Sequence, residues 1–467
     1  MRFDYSDFCS YELNYPDSFN ASMDVDVCEY NKLQDKYDKD GDIVERTMRE
    51  LQRRTTPDYF GKVYIAQTRA LCYSKKVFPT YKFIMPDTLA DDWLSTVDWH
   101  KRYPTRDHSL HQAQTSYIVA KLLGNGKEKD SLEIPDNNSN LLAYCIEKML
   151  SGDRMLYFRN YAKSLGIDIE KMPETIKRRW AKNVFYETAV IAALFHDMGY
   201  PWQYVNKLSE SIEVAEYEDA TNVVCSVTKT KESIKNRLLI YPFYGYSETN
   251  LKHASVKQEK MTNELIEKGL RNTHGLPGAL GFMCLNDKIR KFSQIPTFRE
   301  ASYRLILDWA AVGIMMHDMT SIYWGDKKEK IKPKNPILRL SFDIDPISSI
   351  ISMADILEEF YRPSAHFKNV LFENNDEDKN KDKGLVQAVQ LDYGFPCKGT
   401  SVYVNENTLY IRYQYDNKEN AVLNKKRRKD EVFEYFNADN GFVDLSSLGI
   451  KRVDCDTEFA KKSSQNT

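Results

Sequence analysis

Apolar residues recur at helical spacing along the middle of the chain, from about Tyr103 onward. An apolar position every three to four residues is typical of helices that pack on a core. Two segments, ETAVIAALFHD and LILDWAAVGIMMHD, are apolar on nearly every face and should lie inside a bundle. The predicted helices are Ser109–Leu123, Ser139–Leu150, Pro173–His196, Ser255–Leu270, Leu276–Leu285, Thr297–Met316 and Pro346–Tyr361.

The two flanks of this helical region have different patterns. The first ~100 residues are polar and rich in Tyr and Asp, and they predict short helices only. Residues Glu373–Lys383 carry no apolar anchor, which is typical of a linker. Beyond the linker, alternating positions around Asn405-Glu406-Asn407 predict a hairpin. The elements predicted for this small α+β tail are strands at Ser401–Val404, Thr408–Tyr413, Phe442–Leu445 and Ile450–Val453, and a basic helix near Ala421–Phe436.

Composition excludes several classes of protein. The chain of 467 residues has 66 Lys+Arg and 68 Asp+Glu, so a surface built throughout to hold nucleic acid is excluded. The longest apolar runs, such as Ala189–Phe195, are far shorter than the ~20 residues that span a bilayer. The start of the chain lacks a basic-then-apolar signal segment, and the eight cysteines form no CxxC pair. These features predict a cytoplasmic protein with reduced thiols and without a membrane partner.

Histidines and acids fall at the ends of the apolar helices. Ionisable residues embedded among apolar ones are costly unless they are paired or bind a metal. Imidazole and carboxylate groups are suitable ligands for Mn, Fe, Ni or Zn. Six such ligands are more than one ion needs, so two ions with a bridging water would fit. These six positions are, in chain order, one of the pair His108 and His111, then His196, Asp197, His274, His317 and Asp355.

The order H…HD…H…H…D resembles the HD superfamily of metal-dependent phosphohydrolases, in its two-metal form. RDHSLHQA is similar to the family's first-histidine helix, LFHDMGY to the signature His-Asp, HGLPGA to the third segment and MADILEEFYR to the last. The sequence departs from the family at Tyr200, where many members have Lys, and at His274, which stands alone where the HD-GYP enzymes have a doubled histidine. Cyclic di-GMP is therefore not the substrate that the motifs favour.

The resemblance implies a mainly α fold, namely an HD-type helical bundle with insertions and a small C-terminal α+β domain. The implied core covers residues 101–371, with insertions near 125–180 and 203–260. An N-terminal polar, partly helical region (1–100) precedes it, and a linker (372–384) leads to the tail domain (385–467).

Roles within the site are also implied by the resemblance. His196, Asp197, His274, His317 and Asp355 would ligate metal, with Asp197 bridging two ions. His108 and His111 lie three residues apart on one helix face, so both can reach the site. One of the two would ligate, while the other would protonate the leaving oxygen or support a ligand.

The residues around the motifs leave further roles open. Asp318 is either a functional member of its His-Asp pair or a helix cap. Arg106 and Arg362 are candidate phosphate contacts, because the guanidinium fork matches phosphate oxygens. Glu358 and Glu359 are expected at the surface, although Glu358 lies three residues after Asp355 and could support the site. The basic run at positions 425–429 is expected to form a solvated helix face.

The function implied by these motifs is hydrolysis of a phosphoester. A hydroxide that bridges two divalent ions, from among Mn, Fe, Mg, Ni and Zn, would attack the phosphorus of a nucleotide or another phosphorylated small molecule. A nucleic acid is not an expected partner. Two alternatives stay open: a di-iron oxygenase with the same ligand order, and a nucleotide-sensing domain without catalysis.

Overall fold

A computed structural model describes residues 1–4, 7–8, 108–135, 139–200, 268–270, 272–290, 297–324, 338–360, 397–415 and 417–459. For residues 108–110, 284–290 and 297–299 the backbone alone is described. Within these ranges the protein is mostly helical, with a small sheet toward the C-terminal end, as the sequence predicts. Outside them lie Arg106, Arg362, the predicted linker, the insertion near 203–260 and most of the predicted helix Ser255–Leu270.

Most helices of the described ranges follow predicted ones, but the short helices Leu156–Ser164 and Thr320–Trp324 were not predicted. Asn140 accepts a hydrogen bond from Ala143 N, and Asp345 accepts one from Ser348 N, so each caps a helix start with its side chain. The helices are α1 His108–Leu122, α2 Leu141–Ser151, α3 Leu156–Ser164, α4 Glu174–Phe195, α5 Gly275–Arg290, α6 Thr297–Met316, α7 Thr320–Trp324, α8 Pro346–Leu357 and α9 Lys418–Phe436.

Helix α4 lies at the centre of the bundle. It packs against α1, α2, α6 and α8, and its residues 184–195 are all buried, as the apolar pattern predicts. Helices α2 and α3 belong to the segment that the sequence interpretation treats as an insertion, yet they contribute fully buried side chains to the same core. The Phe158 ring of α3, for example, packs 4.3 Å from the Trp309 ring of α6.

A four-stranded sheet forms the C-terminal α+β unit. The strands of the described ranges are β1 Arg2–Asp4, β2 Leu340–Ser341, β3 Cys397–Asn405, β4 Thr408–Tyr415, β5 Val443–Asp444 and β6 Arg452–Phe459. The strand order is β1-β3-β4-β6, where β3 and β4 form the predicted antiparallel hairpin and β6 runs parallel to β4 after the crossover helix α9. A second, two-stranded sheet pairs β2 of the helical part with β5 of the tail.

Strand β1 ties the start of the chain to its tail. Arg2, Phe3 and Asp4 pair antiparallel with residues 399–401 of β3, and the Phe3 side chain is fully buried. The sequence gives no strand signal here, because three residues are too few to show an alternating pattern. These first residues therefore belong to the C-terminal sheet rather than to a separate N-terminal region.

Three expectations of surface exposure are wrong. Glu358, Glu359 and Arg428 are each buried to within 1% of complete burial. Helix α8 ends at Leu357, earlier than predicted, because Glu358 adopts an extended backbone and its Oε1 accepts a hydrogen bond from Phe360 N. The tail unit covers this helix end, so the charges that follow α8 point into the protein. The lysines of the basic run are exposed, as expected for a solvated face.

Two further features concern the cysteines and the lengths of the helices. Among the described residues, Cys145, Cys397 and Cys455 are buried and form no disulfide. In the ranges given above, no helix combines the length and the apolar character that crossing a membrane requires.

Candidate metal centre

Four histidines and two acids converge at one end of the bundle. His111 lies in the first turn of α1, the His196-Asp197 pair follows α4, and His274 directly precedes α5. His317 follows α6, and Asp355 lies in the last turn of α8. The histidines and Asp197 are 6% exposed or less, and the Asp355 side chain is 14% exposed. Residues from five parts of the chain thus form one buried polar cluster.

The first half-site consists of His111, His196, Asp197 and Asp355. The Nε2 atoms of His111 and His196 are 3.2 Å apart. His111 Nε2 also lies 2.9 Å from Asp355 Oδ1 and 3.6 Å from Asp197 Oδ2. The ligand atoms of His111, His196 and Asp197 are close enough together to hold one metal ion.

The second half-site consists of Asp197, His274 and His317. The Nε2 atoms of His274 and His317 are 3.1 Å apart. Asp197 Oδ1 lies 2.9 Å from His274 Nε2 and 3.6 Å from His317 Nε2. These three residues form a second group that could hold an ion. Asp197 belongs to both groups, which is the arrangement that a bridging carboxylate needs.

In the His196 and His317 rings, the hydrogen bond made by Nδ1 determines that the Nε2 lone pair faces the cluster. His196 Nδ1 donates to Ala193 O, and His317 Nδ1 donates to Ile314 O, both at 2.7 Å. A carbonyl oxygen can only accept, so Nδ1 carries the proton and the neutral ring keeps the Nε2 lone pair free. The two rings therefore present Nε2 to the cluster as a metal ligand would.

The other two rings are backed by carboxylates. His111 Nδ1 lies 2.5 Å from Glu358 Oε2, and His274 Nδ1 lies 2.8 Å from Asp318 Oδ2. Asp318 also accepts from the His274 backbone N–H at 2.8 Å. A carboxylate behind a histidine fixes the ring and makes the opposite nitrogen a better ligand. Asp318 thus does more than cap a helix, and Glu358 is part of the site.

The pKa values of His196 and His274 are shifted in opposite directions. Burial lowers the pKa of His196 to about 3, so that ring is neutral at physiological pH. Burial also opposes charge on His274, but Asp318 and Asp197 outweigh it and raise the pKa to about 10. Burial would raise the pKa of Asp318, yet His274 holds it below its usual value. A positive charge on the His274 ring is therefore favoured between Asp197 and Asp318, and a metal ion could replace the proton on Nε2.

Two glycines let the helix ends meet at the site. A Cβ atom on Gly199 would lie 1.9 Å from His274 O, and one on Gly275 would lie 2.7 Å from Ile314 O. The turn after Asp197 can therefore lie directly against the start of α5, which in turn lies against the end of α6. The Tyr200 ring stacks on the His274 ring at 3.8 Å, at the position where many HD proteins have Lys.

A local repeat underlies the two half-sites. His196-Asp197-Met198 follows α4 and His317-Asp318-Met319 follows α6, and each histidine bonds to the carbonyl three residues before it. Each His-Asp-Met sequence forms a turn, and the second turn leads into α7. This repeat could have been predicted from the sequence, because the letters HDM occur after both apolar helices.

Known proteins offer a further comparison. No family model, curated protein or solved structure matches this chain. The resemblance to the HD superfamily therefore depends on the motif residues alone. The structure adds that these residues lie together as two buried groups that could hold metal ions.

Not every candidate residue can be placed. His108 begins α1, but its side chain is among those not described, whereas His111 lies in the first half-site. Arg106 and Arg362 lie outside the described residues, so their contact with phosphate stays a prediction.

Proposed function

We propose that this protein is an HD-type, metal-dependent phosphohydrolase or phosphodiesterase. One observation carries the proposal: Asp197 is shared by two groups of buried histidines, whose Nε2 atoms face each other. Within each pair, the two Nε2 atoms lie so close together that their lone pairs would repel each other unless a cation or a proton lay between them. This donor set, with nitrogen and oxygen ligands, suits Mn, Fe, Ni or Zn.

Each ion would be held by a distinct set of side chains. His111, His196 and Asp355 would hold one, His274 and His317 the other, and Asp197 both. When bound, a pair of divalent ions supplies Lewis acidity, which makes water nucleophilic at neutral pH and offsets the charge on phosphoryl oxygens. The remaining work, which is orienting the substrate and moving protons, falls to side chains of the chain itself.

The proton donor to the leaving oxygen is assigned by elimination within the first histidine pair. His111 has Nδ1 on Glu358 and Nε2 among the ligand atoms, so neither nitrogen is available to a leaving group. His108 lies three residues earlier on the same helix and is our candidate donor. The substrate class we propose is a nucleotide or another phosphorylated small molecule, with Arg106 and Arg362 as candidate contacts.

The test measures bound metal and phosphate release on one preparation. The purified protein is analysed for metal content, treated with a chelator, and reloaded with Mn²⁺ or Fe²⁺ before a screen of phosphomonoesters, phosphodiesters and nucleotides. We expect hydrolysis that depends on the added ion and that the double variant His196→Ala/Asp197→Ala lacks. A wild type that binds no ion, or that is as inactive as the double variant, would contradict the proposal.

The same preparation separates the alternatives. Iron-dependent consumption of O₂ without phosphate release would favour an oxygenase. Stabilisation by a nucleotide without any turnover would favour a sensor domain.

A further inference from the structure

The C-terminal α+β unit contacts the end of α8, the helix that carries Asp355. We propose that this unit is a working part of the metal centre, because it fixes the helix end that bears Asp355 and Glu358. We call the residues that do so the clamp: Thr400, Tyr413, Arg427 and Arg428. The inference rests on the proposed metal site, and it assigns positioning residues to that site.

The clamp satisfies the carbonyl groups at the end of α8. A helix leaves its last carbonyl oxygens without partners inside the helix. The Tyr413 hydroxyl donates to Ile356 O at 2.7 Å, and Arg428 Nη2 donates to the same oxygen. Thr400 Oγ1 donates to Leu357 O at 3.0 Å. The cap of this helix is thus built from side chains of β3, β4 and α9.

Buried ion pairs at Glu359 also hold this helix end. Glu359 is fully buried and accepts hydrogen bonds from Arg427 and Arg428, the latter at 3.1 Å. The Arg428 guanidinium also lies 4.4 Å from the centre of the Tyr413 ring. A buried ion pair tolerates few alternative geometries, since a displaced partner leaves a charge without solvent. The pair therefore holds the main chain at Glu359 in one position relative to α9.

The residues held by the clamp alternate with the residues of the metal site. Asp355 directly precedes Ile356, and Glu358 lies between Leu357 and Glu359. Asp355 Oδ1 and Glu358 Oε2 are the two groups that contact opposite nitrogens of His111. A small shift of this segment would move both groups away from His111 together. The carboxylate of the second half-site is positioned differently, since Asp318 directly follows His317 at the end of α6.

The proposal therefore predicts an unequal effect on the two ions. The double variant Tyr413→Phe/Thr400→Val removes two hydrogen bonds to the end of α8 while nearly conserving volume. We avoid Arg428 because its loss would remove a guanidinium partner from the fully buried Glu359, which endangers folding. The matched control is Tyr157→Phe, since Tyr157 OH donates to Ile344 O at 2.6 Å and so holds the start of the same helix.

Mn²⁺ titration by calorimetry, thermal unfolding and amide hydrogen exchange of residues 354–360 are measured for each protein. We expect the double variant to bind one of two ions about tenfold more weakly, the low end of the effect of groups that orient metal ligands. Exchange at 354–360 should accelerate. Tyr157→Phe should lower the melting temperature without changing either dissociation constant. Should the double variant unfold, the two single variants replace it.

Unchanged dissociation constants in a folded variant would overturn the proposal, as would an equal loss at both ions. A wild type that binds no ion would refute the proposed function and this inference together. A clamp effect on Mn²⁺ affinity in a protein that hydrolyses no phosphoester would leave the clamp standing and remove the hydrolase.

Discussion

In the first half-site, His196 is followed by Asp197, which turns inward and touches both groups of histidines. In the second, His317 is followed by Asp318, which turns away and backs His274 from outside the cluster. The two histidines are nevertheless alike, since each bonds to a carbonyl of its own last helical turn at the same distance. Equal local sequence thus fixes the histidine, whereas the role of the aspartate depends on the neighbouring helices.

The carboxylates behind His111 and His274 extend this contrast. Asp318 directly follows His317, so the end of α6 supplies both a histidine of the second half-site and the carboxylate behind His274. Glu358 is supported from a distance, since the tail unit holds the segment around it. The first half-site is therefore the one that depends on parts of the chain far away in sequence.

Replacement of Asp197 should have the largest effect, because this residue serves both halves. Asp197→Asn keeps the shape but has one oxygen and no charge, so it cannot bridge two cations. We expect both ions to bind at least ~100-fold more weakly, more than the ~10–100-fold that follows loss of a group behind a ligand. Calorimetric titration with Mn²⁺ measures this. If one ion still bound normally, Asp197 would not be shared.

A methyl group on Gly199 should disturb the second half-site next. The Cβ of Gly199→Ala would overlap His274 O, so the start of α5 must move, at a cost of ~1–3 kcal/mol in unfolding free energy. The ion at His274 and His317 should bind more weakly. Gly281→Ala is the matched control, since its Cβ would meet Met198 Cε at an ordinary 3.5 Å. Equal behaviour of the two variants would argue against the close packing at Gly199.

The carboxylates behind the rings give the sharpest test of the comparison. Glu358→Gln and Asp318→Asn each remove one negative charge from behind one histidine, and each should weaken one ion by ~10–100-fold. The affected ion should differ between the two variants. Mn²⁺ titrations of the single variants and of the double variant decide this. Loss of the same ion in both variants would mean that the halves are not independent.

A buried acid outside the cluster should have the smallest effect on metal binding. Burial raises the pKa of Glu187 from 4.5 to about 8. Ionisation of Glu187 opposes folding, so wild-type stability should fall as pH rises from about 4.5 to about 8. Glu187→Gln should bind both ions normally and lose this dependence. The variant should gain on the order of 5 kcal/mol relative to wild type between pH 4 and pH 9.

Denaturant unfolding of the metal-free proteins across this pH range provides the measurement. Parallel stability curves for wild type and Glu187→Gln would show that Glu187 is ionised without cost.

The helical part of the fold could be predicted because its signal is local. Apolar residues on every face of α4 and α6 indicated buried helices, and the structure confirms them. The same helices placed His196, Asp197 and His317 at their ends, so their convergence with His111 and His274 could be anticipated. Their ligation of metal stays a prediction.

The parts that could not be predicted depend on contacts between distant segments. Glu358 and Glu359 look like surface residues in sequence, since nothing nearby shows that a tail unit will cover them. Arg428 lies in a basic run whose lysines are indeed exposed, and its burial depends on Glu359 across 69 positions. Strand β1 is too short to carry a pattern, and its partner lies about 400 residues away.

The pairing of β1 with β3 also has a consequence for folding during protein synthesis. At ~5–20 residues per second, a ribosome that has made residues 2–4 needs roughly 20–80 s to reach their partners in β3. Asp355, the last of the candidate ligands, leaves the ribosome before Thr400, Tyr413 and Arg428. A nascent chain therefore carries every candidate ligand before it carries the residues that fix the end of α8. The first half-site reaches its final geometry only after residues 400–428 have been made, so we expect metal to enter it after the second.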